Sequence, residues 1–245
     1  MTDAIAIILA RAGSKGVPGK NAALIAGRPC VCWTIEQAQR AQTITRTILS
    51  TDDPQLQELA VALGVDVVAR PTDLATDTAR IDDAARHTVE TLNIPGDAII
   101  VILYANVPVR PDDLIDRCVG ACVDTGADSV QSYAPVGKHH PFWTCRIDAD
   151  TAQVSPWEGD TLNGGVYRRQ DLPEASIPDG GCIALRAASL LNPLPGPHGF
   201  LGADRRGVRT GEGEVIDIDT PIDLIVADAI LKERNTTPFP QGALQ

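Results

Sequence analysis

An apolar run at residues 4–10 passes straight into Arg11-Ala12-Gly13-Ser14-Lys15-Gly16-Val17-Pro18-Gly19-Lys20-Asn21, and no other stretch narrows the choice of fold as much. The run reads as a buried strand. Glycine at 13, 16 and 19 keeps the backbone free to curl and leaves its N–H groups uncovered, while one Arg and two Lys supply cationic side chains. A strand that opens into such a loop is suited to holding a polyanion, in the first place a nucleoside triphosphate. The alternative is a Gly-rich strand-to-helix turn with solvated lysines, which needs neither this length nor this charge density. Two familiar phosphate loops are excluded. A P-loop requires G-x-x-x-x-G-K followed by Ser or Thr, but the glycine in register from Gly13 would fall on Pro18, and Lys20 precedes Asn21. The dinucleotide fingerprint requires glycines two apart, and these are three apart.

The rest of the chain alternates strands and helices. Residues 31–41 place Val31, Ile35, Ala38 and Ala41 on one helical face. Residues 45–50 are β-branched and read as a second strand, and 65–68 as a third. Between them Asp53 and Pro54 start a helix, as a cap and a fixed φ, and Gly64 stops it. A helix at 81–92 carries Ile81, Ala84, Ala85, Val89 and Leu92 as its stripe, with Asp82 away from it and His87 on its flank. Residues 98–103 form the most apolar strand and belong near the sheet centre. Leu114, Ile115, Cys118, Val119, Cys122 and Val123 mark another helix, 129–133 a fifth strand, and 182–185 a return to the core. Thr220 and Pro221 start a last helix that runs to about Arg234. This order implies an α/β fold, a mostly parallel sheet with helices on both faces. The expected organisation is one domain over residues 1–234 and a flexible tail at 235–245. Within the domain, residues 134–180 lack a helical period and concentrate Pro, Trp, His and Arg, so they read as an excursion from the sheet for a subunit interface or a substrate lid.

Composition removes several function classes. At 245 residues, 44% of them hydrophobic and 22% charged, the chain can bury a sizeable core. A formal charge of −11 argues against nucleic acid and anionic membrane as partners. No apolar run approaches a membrane span, and residues 4–10 lack the flank and length of a signal peptide, so the chain is expected to be cytoplasmic. Asn235-Thr236-Thr237 then matches a glycosylation acceptor by chance. The six cysteines, without C-x-x-C spacing or histidine at ligand distance, read as small buried hydrophobes in a reducing compartment.

A second chemical cluster stands at Val215-Ile216-Asp217-Ile218-Asp219-Thr220. Its alternation marks a strand with Asp217 and Asp219 on one face and Ile216 and Ile218 towards the core. The two aspartate Cα atoms would be roughly 6.6 Å apart. At an effective dielectric near 20 their charges would repel by about 2.5 kcal/mol. A cation between the carboxylates relieves that repulsion, and carboxylate, phosphate and water oxygens are the usual setting of Mg²⁺. The alternative is that one Asp caps the following helix and the other is solvated. A cationic Gly-rich loop plus a pair of carboxylates is equipment for nucleotidyl transfer, where catalysis is positioning and charge neutralisation.

Residues 10–21 resemble the signature of the N-acylneuraminate (CMP-sialic acid) cytidylyltransferases. The resemblance continues through Ser50-Thr51-Asp52-Asp53, Arg70-Pro71-Thr72-Asp73-Leu74-Ala75-Thr76-Asp77-Thr78 and His139-His140-Pro141, and ends with Arg169-Gln170-Asp171-Leu172-Pro173 and Asp217-Ile218-Asp219-Thr220. It thus spans nearly the whole chain in order. It implies a GT-A-like, Rossmann-like nucleotidyltransferase fold with a dimerisation excursion, and a homodimer. It also implies Mg²⁺-dependent transfer of CMP from CTP to the anomeric hydroxyl of a 2-keto sugar acid, with pyrophosphate leaving. By position, Arg11, Lys15 and Lys20 would hold the triphosphate and act in catalysis. Ala10, Gly13 and Ser14 would join them in the nucleotide loop, Asn21 and Arg70 would read ribose and base, and Asp217 and Asp219 would hold the metal. Arg169 falls where sugar or dimer contacts are expected.

The chain departs from the sialic acid pattern at several points. Where that pattern reads Leu-Gln-Pro-Thr-Ser-Pro-Leu-Arg, this chain has Leu103-Tyr104-Ala105-Asn106-Val107-Pro108-Val109-Arg110. A Tyr-Ala pair there, and Asp179 before Gly180, are more like the pseudaminic acid cytidylyltransferases. Arg80 replaces a base-contacting Ser and is counted by that position among the nucleotide-binding candidates. Tyr104, His140, Arg169 and Asp179 are therefore the sugar-site candidates, and the acceptor is open among sialic, legionaminic and pseudaminic acids. His139 and His140 are adjacent and point to opposite faces of an extended segment, so one ligand cannot take both. One faces the sugar or packs. The rivals are a nucleotidyltransferase for another sugar or base, and a non-catalytic nucleotide-sugar binding protein. Asp217 and Asp219 alongside Lys15 and Lys20 speak against the latter, since binding alone needs no metal pair.

Overall fold

The computed structural model describes residues 3–13 and 16–234. The expectations for Ser14, Lys15 and the 235–245 tail, including Asn235-Thr236-Thr237, lie outside the described residues. In chain order the elements are β1 (Ala4–Leu9), β2 (Leu24–Ile25), β3 (Arg28–Pro29), α1 (Cys30–Arg40), β4 (Ile44–Thr51), α2 (Pro54–Ala62), β5 (Asp66–Ala69), α3 (Ile81–Thr91), β6 (Ile99–Tyr104) and α4 (Leu114–Thr125). They continue with β7 (Ser129–Pro135), β8 (Cys145–Ile147), β9 (Val154–Pro156), β10 (Ser176–Arg186), α5 (Ala187–Leu191), β11 (Arg205–Arg209) and α6 (Pro221–Arg234).

Seven strands form one sheet in the order β11-β7-β10-β6-β1-β4-β5. The apolar β6 lies in the middle, as its composition requires. β1 runs parallel to β4 and β6, β4 to β5 and β7 to β11, while β10 is antiparallel to both its neighbours. Alternation splits each central strand between two cores. Ala4, Ala6 and Ile8 of β1 and Ile99, Val101 and Leu103 of β6 pack with α1, α2 and α4. Ile7, Leu9, Ile100 and Ile102 pack on the other face with α3, α5, Phe200 and Leu201. Each fully buried Ile or Leu stabilises the fold by about 1.5–3 kcal/mol through area removed from water. A third cluster joins the cationic loop to the C-terminus, with Val17, Ile25, Trp33, Val109, Ile218, Ala227 and Leu231.

The helix boundaries follow local chemistry. Asp53 accepts from Gln55 N at 2.9 Å with Pro54 behind it, and Gly126 at φ 69° ends α4. At α6 the carboxylate of Asp223 reaches back to the N–H groups of Asp219 (3.1 Å) and Thr220 (2.7 Å), a capping arrangement that fixes the segment just before the helix.

Four sequence expectations are corrected. Residues 215–220 are not a strand: Ile216 makes one isolated bridge to Val109, and the segment lies along the loop after β6. Ile218 is nevertheless buried, as the alternation predicts. β10 begins at Ser176, inside the predicted 134–180 excursion, with a break in register between Pro178 and Ile183. β11 was not expected, because Arg205-Arg206-Gly207-Val208-Arg209 is a charged edge strand in which Val208 alone packs on the core. Asp82 is buried rather than solvated, because Arg80 and Arg86 both pair with it. The excursion itself consists of short 3₁₀ turns and the β8–β9 hairpin, and it exposes Phe142, Ile147, Val154, Trp157 and Tyr167. All six cysteines are free; five are buried, whereas Cys145 in the excursion is exposed. Among the described residues no helix is long and apolar enough to cross a membrane.

Candidate active site

β1 has β4 on one side and β6 on the other, so the connections leaving its neighbours diverge and a crevice opens beyond the C-terminal ends of these strands. The cationic loop leaves β1 into that crevice. Ala10 N donates to Ser50 O at 3.0 Å and Ala12 N to Asp52 Oδ1 at 2.8 Å, which ties the loop's first turn to the end of β4. Gly16 is pressed against the far side of the site, where a Cβ would collide with the Asp219 carbonyl oxygen. Gly19 turns the chain at φ 65°.

A cavity of about 160 Å³ lies over this turn, lined among others by Arg11, Lys20, Asn21, Arg70, Arg80 and Tyr104. Arg11 pairs with Asp77 at 2.7 Å. Arg70 is buried and donates to Ser50 O at 2.8 Å and Ser50 Oγ at 3.3 Å; burial pulls its guanidinium down to about 10, against the support of Asp52. Asn21 donates from Nδ2 to Arg11 O at 2.9 Å, while its Oδ1 is buried without a partner. Arg80 forms a fork on Asp82 at 2.8 and 3.1 Å and presents its stem to the cavity.

A second cavity, about 540 Å³, adjoins the first and shares Tyr104 and Ile81 with it. Its floor is made by Gln131, Ser132 and Tyr133 of β7 and by Asp179, Gly180 and Cys182 of β10; Phe200, Leu201 and Arg205 close its far side, and Asp217 stands at its near end. Asp179 is fully engaged, accepting from Ser132 Oγ, from Gly181 N at 2.9 Å and from Thr210 Oγ1 at 2.7 Å. Tyr104 separates the two spaces, and burial pushes its phenol up to about 12.

Asp217 lines the larger cavity close to Tyr104, and Asp219, two residues on and exposed, is tied to Lys20 of the smaller one. Asp217 accepts from Asn106 Nδ2, whose amide also donates to Ile218 O at 3.2 Å. Lys20 Nζ donates to Asp219 Oδ1 at 2.8 Å and to Ile218 O at 2.7 Å. Burial, and then the charge of Asp219, push the Asp217 carboxyl up from 3.8 to about 6. Gly180, at φ 74°, faces the other oxygen: a Cβ there would stand 3.2 Å from Asp217 Oδ2. Arg110 anchors the connection behind these groups. It is wholly buried and donates to the carbonyls of Gly181 (2.5 Å), Tyr104 (3.0 Å) and Val107, to Thr34 Oγ1 (3.1 Å) and to Gln37 Oε1 (2.8 Å).

The fold therefore brings Ala10, Arg11, Gly13, Lys20, Asn21, Arg70, Arg80, Tyr104, Asp179, Asp217 and Asp219 to one crevice and its two cavities. It places His140 and Arg169 elsewhere within the chain. His140 is buried and caps a 3₁₀ turn, its Nδ1 accepting from Phe142 N at 3.1 Å. Arg169 pairs on the surface with Glu212 at 2.6 Å. Asn106 and Arg205 had not been singled out from the sequence. Asn106 lies within a departure from the family pattern, which is a signal in hindsight; Arg205 sits in an edge strand without apolar alternation and carries none.

Residues 5–144 match the model of a family described as Cytidylyltransferase. The chain belongs to the cytidylyltransferase family. It is 30% identical over 236 residues to the CMP-N,N'-diacetyllegionaminic acid synthase of Legionella pneumophila, covering 93% of this chain and 96% of the relative. The N-acylneuraminate cytidylyltransferase of Streptococcus agalactiae serotype III is 28% identical over 90% of this chain, which spans about half (51%) of that protein's length. The 3-deoxy-manno-octulosonate cytidylyltransferase of Bdellovibrio bacteriovorus is 26% identical over 94% of this chain and 98% of its own. In fold, this cytidylyltransferase is similar to the solved structure of a CMP:2-keto-3-deoxy-manno-octonic acid synthetase complexed with CTP, with a TM-score of 0.73 and 18% identity over 96% of this chain and 100% of that one. The protein is accordingly an enzyme of the nucleotidyltransferase class.

Proposed function

We propose that this enzyme transfers CMP from CTP to the anomeric hydroxyl of a nine-carbon 2-keto sugar acid of the sialic, legionaminic or pseudaminic kind, and releases pyrophosphate. The observation that carries the reading is the meeting of two cavities at Tyr104 beside Asp217: one is rimmed by Arg11, Lys20 and Arg70, and the larger adjoins it. A phosphate held by the first and a hydroxyl presented from the second would meet next to the Asp217–Asp219 pair. Relatives named CMP-N,N'-diacetyllegionaminic acid synthase and N-acylneuraminate cytidylyltransferase support the substrate class.

Arg11, Lys15 and Lys20 are assigned to the triphosphate, where cations aimed at charge that develops during transfer are worth most. Lys20 is held ready by Ile218 O and Asp219. Asn21 and Arg70, which line the smaller cavity, are assigned to the nucleoside. The donor set fits Mg²⁺: two carboxylates, one of them raised by burial and then by the charge of the other, whose shell phosphate and water oxygens would complete. Bound by Asp217 and Asp219, the ion would neutralise charge on phosphate oxygens. Asn106 meanwhile fixes one Asp217 oxygen and Gly180 leaves the other open.

The reading is of a cytoplasmic enzyme with one catalytic domain over residues 1–234, acting as a homodimer through the excursion, whose exposed Phe142, Trp157 and Tyr167 (97% exposed) offer apolar contact area. Tyr167→Asp is expected to shift the protein to a monomer in light scattering.

The deciding experiment is pyrophosphate release with Mg²⁺, crossing four nucleoside triphosphates with a panel of 2-keto sugar acids. Release with CTP and a nine-carbon acid is expected. Release with UTP or ATP but not CTP would sink the cytidylyl assignment, and no release with any pair would favour a binding protein. Lys15→Ala should abolish turnover with the fold intact; near-normal activity would refute its role.

A further inference from the structure

Arginines near β11 are tied to acids, with one exception. Arg206 forks onto Asp204 at 2.6 and 3.0 Å, Arg209 pairs with Glu174, and Arg169 pairs with Glu212. Arg205 instead donates from Nε to Gly202 O at 2.9 Å and from Nη2 to His198 O at 3.1 Å. Among the described residues no carboxylate pairs with it, and its Nη1 has no partner. Two carbonyls fix the plane of the guanidinium without cancelling its charge. It is also the sole Lys or Arg among the described residues that line the larger cavity.

The sheet register locates this cation relative to the chemistry. Ile102 stands opposite Ile183, Ile183 opposite Gln131, and Gln131 opposite Gly207. Tyr104 lies two residues beyond that line towards the crevice, and Arg205 two residues before it. Their backbones are thus roughly 13 Å apart along the strands and roughly 14 Å apart across three strand spacings. The acidic end of the cavity, with Asp217, is at Tyr104; the cationic end is at Arg205. In a 2-keto sugar acid the carboxylate is bonded to the carbon that carries the reacting hydroxyl, so it stays at the Tyr104 end. Arg205 faces the part of the acceptor remote from that carbon.

We propose that Arg205 is a specificity-determining residue that donates a hydrogen bond to the carbonyl oxygen of an acylamido group on the exocyclic chain of the acceptor. It thereby favours nine-carbon acids that carry such a group over those that end in hydroxyls and over shorter acids. This rests on the functional reading given above. Between the two ends Ile81, Ile183, Phe200 and Leu201 stand beside Gln131 and Tyr133, so among the described lining residues the guanidinium at the end is the one Lys or Arg donor available to that carbonyl.

The test measures KM for three acceptors in the pyrophosphate assay with CTP and Mg²⁺: a nine-carbon acid with acylamido groups on both ring and exocyclic chain, a nine-carbon acid with a hydroxyl in the exocyclic position, and an eight-carbon acid with neither. Arg205→Ala is expected to raise KM for the first about tenfold, the worth of one hydrogen bond to a charged donor, with kcat, the other two KM values and KM for CTP unchanged. Arg205→Lys, which keeps a donor, should lie between. An equal rise for all three acceptors, a rise in KM for CTP with a lower melting temperature, or no change for the first acceptor would overturn the proposal. The same acids titrated calorimetrically into the CMP-saturated wild type and Arg205→Ala proteins read the contact without turnover. Loss of preference in the variant there supports Arg205 even where the functional reading fails, and identical binding by both proteins refutes it.

Discussion

The two cavities that meet at Tyr104 are built from different parts of the chain and by different means. The smaller cavity, proposed to take the nucleotide, comes from the first 106 residues, and its cations are tied down within the chain: Arg11 to Asp77, Arg70 to Ser50, Lys20 to Asp219. The larger cavity, proposed to take the acceptor, is lined mainly by β7, β10 and β11 with the turn at Gly199–Leu201, and its walls are mostly apolar with scattered polar groups. A triphosphate presents the same charges to any enzyme of this class, so its cradle can be rigid and cationic. An acceptor differs in length and substituents, so its container is a volume with sparse polar markers. The two halves should therefore fail differently when mutated.

The largest effects are expected at the junction. Lys20→Met and Asp217→Asn should each lower kcat by at least about 100-fold: the first removes a cation assigned to the transferring phosphate, the second a carboxylate assigned to the metal. Asp217→Asn should also stabilise the ligand-free protein at neutral pH. The carboxyl titrates at about 6 in the fold and near 3.8 when unfolded, so the folded state binds the proton more tightly. Its destabilising contribution is absent below pH 4, grows as pH rises towards 6, and reaches about 3 kcal/mol above that. Denaturant melts of wild type and variant should converge near pH 4 and separate above pH 6, with the variant the more stable. Equal stability at all pH values would show that Asn106 and Lys20 already offset the repulsion.

Next in size, Arg70→Met should raise KM for CTP by about 10- to 100-fold, as loss of a hydrogen bond to a charged donor implies, and leave acceptor KM unchanged. Gly180→Ala should do the reverse. A Cβ there crowds Asp217 Oδ2 at 3.2 Å and the Tyr104 ring at 3.4 Å, and φ 74° disfavours any side chain, so a stability loss of about 1 kcal/mol is expected alongside a raised acceptor KM. A rise in CTP KM in Gly180→Ala would dissolve the distinction between the two halves.

The same contrast explains what could be read from the residues alone. β1, β4 and β6 are apolar runs with helices between them, and the loop after β1 declares its charge and its glycines; both are local signals. The Asp217/Asp219 alternation was also local, although the segment is held by the loop after β6 and by Asp223 rather than by a sheet. Asn106 acts through Asp217, 111 positions away, Gly180 through Asp217 and Tyr104, and Arg205 through a register set by three strand pairings. Asp82 shows the cost of a purely periodic reading: its position on the helix is polar-facing, but Arg80 and Arg86 draw it under cover.

The smallest effect belongs to Arg169, a residue that the family resemblance places at the sugar or the dimer contact and that its own chain leaves at the surface. Its pair with Glu212 is exposed on both sides, and such pairs contribute little after solvent screening and side-chain entropy. Arg169→Ala should change unfolding free energy by no more than about 0.5 kcal/mol. With stability held constant in this way, KM for the acceptor and the dimer dissociation constant become clean readouts. A rise in acceptor KM alone would mean that the dimer carries Arg169 to a sugar, completing the container with a second chain. A weaker dimer with unchanged KM would make it an interface residue. No change in either would leave Arg205 as the guanidinium assigned to the acceptor.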